Sequence, residues 1–174
     1  LFLNCYIEGT TDFIFGPATA VFQNCTIRAK TNSFITAAST TYGKKHGYVF
    51  IGCKIIADSA VTKLFLGRPW RANAKTVFIK CELPKVIAPE GGNNWSNAEN
   101  EKTVFYAEYK NTGAGAAIAK RAKWTKQLSD KEAQRYTLAN IFSALLNDTE
   151  PGHAWFENKN PATFNFNAFT QKTP

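Results

Sequence analysis

The sequence predicts an all-β chain: a single-stranded parallel β-helix with short C-terminal helices and a capping tail. Three observations carry that expectation. One phrase returns five times, as Leu1-Phe2-Leu3-Asn4-Cys5-Tyr6-Ile7, Val21-Phe22-Gln23-Asn24-Cys25-Thr26-Ile27, Val49-Phe50-Ile51-Gly52-Cys53-Lys54-Ile55, Val77-Phe78-Ile79-Lys80-Cys81-Glu82-Leu83, and a fifth copy opening at Val104-Phe105-Tyr106 without its cysteine. The copies start 20, 28, 28 and 27 residues apart, a period typical of solenoids. Each is too short for a helical hairpin, rich in Val, Ile, Phe and Thr, and bounded by Gly, Asn and Lys. Those are strand signals.

The elements follow in order. Stacked turns place equivalent residues about 4.8 Å apart, so Cys5, Cys25, Cys53 and Cys81 form a column, with Ile7, Ile27, Ile55 and Leu83 a second column two residues on. That spacing puts both on one strand face, and an all-apolar column faces the core. Phe2, Phe22, Phe50, Phe78 and Phe105 are out of phase with the cysteines. Either the chain bends between Phe and Cys, or the Phe residues pack an outer layer. A second set of strands, one per turn, is read at Asp12–Gly16, Ser33–Ala38 and Lys63–Gly67.

Pro84–Lys102 carries Pro89, Gly91, Gly92 and several asparagines, and reads as a loop before the last strand. Ser129-Asp130-Lys131-Glu132 fits a capping box, predicting a short helix through Tyr136 and another over Leu138–Leu146. His153–Pro174 has no periodicity and is expected to cap the coil, since an open solenoid end exposes strand edges and apolar core.

Composition narrows the classes. No run approaches 18 apolar residues, so no membrane-spanning helix is expected. Cysteine spacing shows no CxxC pair, and His46 and His153 stand alone, so neither zinc nor a disulfide framework is indicated; in-register neighbours also lack disulfide geometry. The net charge of +8 with 14% aromatic residues favours a polyanion. No nucleic-acid recognition motif appears, and an acidic polysaccharide satisfies the charge equally well. The chain has no methionine and opens inside a repeat. It is therefore read as a C-terminal piece of a longer protein.

Two segments break the apolar pattern. Gly9-Thr10-Thr11-Asp12-Phe13-Ile14-Phe15-Gly16 sets a carboxylate among apolar strand residues, which is costly without a partner. Leu66-Gly67-Arg68-Pro69-Trp70 offers an arginine beside an aromatic. Asp12 lies nine residues before Val21 and Arg68 nine before Val77. In register they would share one angular position, two turns and roughly 10 Å apart. Arg68 would then lie across the small residues Ala37, Ala38, Ser39 and Thr40. A stabilising surface ion pair is the plain alternative for the two.

These blocks resemble those of the pectin methylesterases (pectinesterases), right-handed parallel β-helix enzymes that de-esterify pectin. Gly9–Gly16 is similar to the family's GTVDFIFG with Thr11 in place of valine, and Ala20–Ile27 continues the match. Leu66–Trp70 matches LGRPW, followed by Lys75-Thr76-Val77-Phe78. Arg121-Ala122-Lys123-Trp124 and Tyr136-Thr137-Leu138 resemble the C-terminal region in its bacterial style. The resemblance covers nearly all of 1–174. It implies one partial domain, with repeat turns over 1–110 and the last turn, helices and tail over 111–174.

By that resemblance Asp12 is the nucleophile toward a galacturonate methyl ester, passing through a covalent anhydride. Arg68 holds and orients it, Trp70 is a sugar platform, and Phe15 lines the cleft. No metal or cofactor is implied. Pectin is the substrate, and the location is secreted, periplasmic or cell-surface. The family's QDTLY-like block, with its acid/base aspartate and oxyanion glutamine, would fall before Leu1. Without it the chain is expected to be nearly inactive; Asp58 and Glu8 are the nearest alternative acids, in no matching motif. Two other classes compete: a non-catalytic module gripping acidic polysaccharide, and a calcium-dependent lyase, which would want an acidic cluster this chain lacks.

Overall fold

The computed structural model describes the backbone of residues 1–146 and the side chains of residues 1–142. The cap expected over His153–Pro174 lies outside the described residues.

The first three copies of the repeated phrase fold as two strands each, because the chain bends inside them. In the fourth the second limb shrinks to an isolated bridge, Glu82 to Lys54. The first limbs are β1 (Phe2–Leu3), β4 (Ala20–Gln23), β7 (Tyr48–Ile51) and β10 (Lys75–Ile79). The second limbs are β2 (Tyr6–Gly9), β5 (Thr26–Ala29) and β8 (Lys54–Ala57). Between the limbs sit Asn4, Asn24, Gly52 and Lys80, with φ of 53°, 52°, 61° and 51°. Asn and Gly visit this left-handed region at least cost. One left-handed residue resets the inside–outside alternation, so residues out of phase along a straight strand both turn inward. Phe22, Phe50 and Phe78 are therefore buried, and so are Cys25, Cys53 and Cys81. The bend, not an outer aromatic layer, resolves the two columns.

The remaining strands, β3 (Ile14–Gly16), β6 (Ser33–Ala38) and β9 (Leu64–Pro69), complete the turns, with β11 (Phe105–Tyr109) and β12 (Thr125–Gln127) closing the series. Three parallel sheets result, in the orders β1-β4-β7-β10-β11-β12, β2-β5-β8 and β3-β6-β9. The coil is right-handed, as connections between parallel strands of one sheet are. Register is strict: Phe2, Phe22, Phe50 and Phe78 align, as do Ile7, Ile27 and Ile55. Rings of the Phe column stack at 4.8, 4.6 and 4.4 Å between centroids, the spacing of the strands themselves. The four cysteines are free thiols. Burial pushes Cys25 up to about 11 and Cys81 well up, while a hydrogen bond with Cys81 lowers Cys53. Their in-register stacking makes the column a packing ladder.

The fifth copy departs from the expected column. β11 pairs with β10 so that Phe105 faces Lys75 and Glu108 faces Phe78. The ladder begins early, with the Phe105 N–H donating to the Ala74 carbonyl at 2.9 Å, and that shifts the phrase by three residues. Phe105 is thus outside the Phe stack and a carboxylate stands above it. Arg121 compensates: its Nε and Nη2 donate to Glu108 Oε1 and Oε2 at 2.6 and 3.2 Å, and Nη2 also reaches the Gly115 carbonyl at 2.7 Å. Asn111 Nδ2 donates to Glu108 Oε2 at 3.0 Å.

The Ser129 capping box is present, but its helix α2 spans only Asp130–Ala133 and does not extend to Tyr136. Tyr136 turns away and meets His46 edge-on, ring centroids 5.5 Å apart. Helix α3 covers Leu138–Leu146. Leu1–Thr137 form one compact unit, and α3 begins a second.

His46 gives a pH prediction. Its Nε2 is buried without a hydrogen-bond partner. Burial, reinforced by Lys45 and Lys75, pushes its imidazolium down from the ordinary value of 6.5 to about 4. The folded state thus resists protonation that the unfolded chain accepts near 6.5. The stability linked to His46 is full above that pH and is lost as pH falls toward 4, by at most about 3 kcal/mol. Urea titrations between pH 7 and 4 are expected to show this loss, and His46→Gln to flatten it.

Candidate active site

The face carrying β3, β6 and β9 presents the two segments singled out in the sequence. The corner before β3 is sharp: a Cβ on Gly9 would overlap Phe13, so only glycine lets the chain fold back there. Asp12 follows in the left-handed region, φ 52°, which a short polar side chain tolerates better than most. Its N–H donates to the Phe34 carbonyl at 2.9 Å. The turn before it is tied by Ser33 Oγ donating to Thr11 Oγ1 at 2.9 Å.

Arg68 reaches this carboxylate. Its Nε donates to Asp12 Oδ1 at 3.0 Å and its Nη2 to Oδ2 at 2.6 Å, the two-point geometry that suits guanidinium and carboxylate. The side chains are 20% and 18% exposed, open enough on one side for a substrate to approach. The route differs from the one the equal offsets suggest. Phe15, Ala37 and Arg68 share a register position, and Asp12 lies three residues earlier. The nine-residue offsets coincide only because the loops leaving β3 and β9 differ in length. Arg68 therefore runs back along the strands rather than across Ala37 to Thr40. Its guanidinium carbon lies 4.0 Å from the centre of the Phe34 ring.

A residue that sequence reading missed also meets this guanidinium. Trp95 stands over the same guanidinium, 3.6 Å from ring centre to carbon. Only its place in an asparagine-rich stretch hinted at it, and that stretch read as a plain loop. Short helix α1 (Ala98–Glu101) lies inside this loop, capped by Asn97.

Trp70 is 43% exposed and Phe15 66% exposed. Their rings meet edge-to-face at 6.3 Å, and Arg71 lies 5.4 Å from the Trp70 ring. β9 carries Arg68 close against β6: a Cβ on Gly67 would overlap Thr36. The other acids considered are engaged on the outer face of the β2-β5-β8 sheet. Asp58 accepts from Arg28. Glu8 pairs with Lys30 at 3.0 Å, and hydrogen bonds from Lys30 and Tyr6 hold its carboxyl below the usual range.

A family model described as Pectinesterase matches residues 1–144. The chain belongs to the pectinesterase family. It is 40% identical over 167 residues to Putative pectinesterase 11 of Arabidopsis thaliana, covering 94% of this chain and 46% of that protein. It superposes on the pectin methylesterase from carrot with a TM-score of 0.76 at 35% identity, covering 87% of this chain and 53% of that one. A solved pectin methylesterase in complex with a hexasaccharide gives a TM-score of 0.67 at 28% identity, covering 87% and 52%. The chain thus spans about half the length of these relatives.

Proposed function

We propose that the protein hydrolyses galacturonate methyl esters of pectin, releasing methanol, with Asp12 as nucleophile. The observation that carries this is the two-point Arg68–Asp12 contact beside the exposed Phe15–Trp70 pair, in a chain of the pectinesterase family. A carboxylate oxygen of Asp12 attacks the ester carbonyl carbon, and the carbonyl electron pair moves onto oxygen. Collapse expels methoxide, which takes a proton from a general acid and leaves as methanol. Water then attacks the galacturonyl carbon of the resulting anhydride, its proton passing to the same group now acting as base. The bond to Asp12 breaks, releasing galacturonate and restoring the Asp12 carboxylate. Arg68 aims the carboxylate. It cannot be the proton donor, because a guanidinium stays protonated. Phe15 and Trp70 offer apolar faces for sugar rings, and the hexasaccharide bound by a relative supports a polymeric substrate.

The same reading assigns the acid/base and the oxyanion donor to a turn stacked before β1, in line with relatives about twice as long as this chain. We keep within it the bacterial style of the Arg121–Trp124 segment, beside a plant relative at 40% identity, and a location outside the cytoplasm. Methanol release from methyl-esterified pectin tests it. Residues 1–174 alone are expected to release little or none, and the full-length protein to turn over. Robust turnover by 1–174 would place the acid/base within these residues. Pectin binding without any methanol from the full-length protein would leave a binding module instead.

A further inference from the structure

Trp95 is held in place by its loop more firmly than an exposed sugar platform requires. Trp95 and Ser96 are consecutive non-glycine residues in the left-handed region, φ 60° and 54°, a conformation that persists only where surroundings enforce it. Here the enforcement is visible. Asn93 Oδ1 accepts from the Trp95 N–H at 2.8 Å, and Asn94 Oδ1 from the Ser96 N–H at 3.0 Å. Asn94 Nδ2 donates to Glu101 Oε1 at 2.8 Å.

The loop is also pinned to the strand that bears Arg68. The Asn93 N–H donates to the Gly67 carbonyl at 3.1 Å, and Asn100 Nδ2 to the Pro69 carbonyl at 3.2 Å. These anchors lie on either side of Arg68. Their common product is a tryptophan ring 3.6 Å from the Arg68 guanidinium carbon, which also lies 4.0 Å from the Phe34 ring.

We propose that Trp95 is a positioning residue acting through Arg68: with Phe34 it forms an aromatic vice that holds the guanidinium plane in line with both oxygens of Asp12. The proposal rests on the reading of Asp12 and Arg68 as the catalytic pair. An arginine side chain that crosses a turn has many rotamers, and only one plane meets both carboxylate oxygens. Two ring faces attract the cation and restrict its tilt. A hydrophobic side chain of similar bulk would fill the space without attracting the charge.

The test has two arms. In residues 1–174 labelled with ¹⁵N-arginine, with the signal assigned by Arg68→Lys, the Arg68 Nε–H is expected to be shifted upfield by the rings and slow to exchange with water. Trp95→Leu should weaken both effects markedly and Trp95→Phe should keep most of them; Phe34→Leu serves as the second variant, removing the other ring. An Arg68 signal unchanged in Trp95→Leu overturns the vice. In the full-length protein, Trp95→Leu is expected to lower kcat about 10- to 100-fold with KM within about twofold, and Trp95→Phe to recover most of the loss. A raised KM at unchanged kcat would make Trp95 a sugar platform and overturn the proposal. Should the wild-type full-length protein release no methanol, the esterase reading fails, and the Arg68 signal still decides the vice.

Discussion

Asp12→Asn in the full-length protein is expected to cut methanol release by about 10³-fold or more, with the coil intact. The amide keeps the shape of the carboxylate but supplies no nucleophilic oxygen anion, so the covalent route closes. Asparagine tolerates the left-handed backbone at φ 52° as well as aspartate does, and the backbone bond to Phe34 is untouched. One of the two contacts from Arg68 loses its acceptor. Because both side chains are partly exposed, that loss should cost no more than about 1–3 kcal/mol. Circular dichroism and urea unfolding check the fold, and steady-state methanol release checks the chemistry. Near-normal turnover by Asp12→Asn would remove Asp12 from the role of nucleophile.

Arg121→Ala should have the largest effect on stability, about 3–5 kcal/mol. Glu108 and Arg121 are 6% and 5% exposed, and removing the arginine leaves a carboxylate facing the end of the Phe stack. A pair this deep is weak evidence for stability in itself, because desolvation offsets its attraction. Breaking it is another matter. The double variant Glu108→Leu with Arg121→Met, which removes both charges and retains bulk, is therefore expected to recover most of the loss. Arg121 also donates to the Pro89 carbonyl at 3.2 Å and packs on Gly91, so its removal should loosen the start of the loop that bears Trp95. Thermal unfolding with a double-mutant cycle measures the coupling. A single variant within about 1 kcal/mol of wild type would show that the carboxylate finds water or another partner.

Much of the coil was legible because its repeat is direct. A phrase recurring at 27 or 28 residues can satisfy its backbone only by pairing each copy with the next, and the Cys and Ile columns announce the buried face. The Phe column was ambiguous for a physical reason. Strand periodicity assumes an extended chain, and one left-handed residue at Asn24 or Gly52 reverses it. The fifth copy misled for a related reason: Val104-Phe105-Tyr106 has the right residues, but hydrogen bonding to Ala74 starts the ladder three residues early and puts Glu108 over Phe78. Register is a property of the pair of strands, and a single strand's sequence does not contain it.

The candidate site divides the same way. Local sequence alone determined that Asp12 and Arg68 stand out from an apolar repeat, and that a parallel coil would bring such residues toward one face. It also marked Ser129–Glu132 as a helix start, because a capping box is a contact between residues three apart. Only the tertiary structure decided the path of Arg68 back over Phe34, the loop lengths that undo the equal offsets, and the arrival of Trp95 from a segment 27 positions further along the chain. Contacts over three or four residues are set by backbone geometry that the residue types report directly. Contacts across turns depend on where each loop releases the chain, and in this protein that is settled by bonds to Gly67, Pro69 and Ala74, which exist only once the turns have stacked.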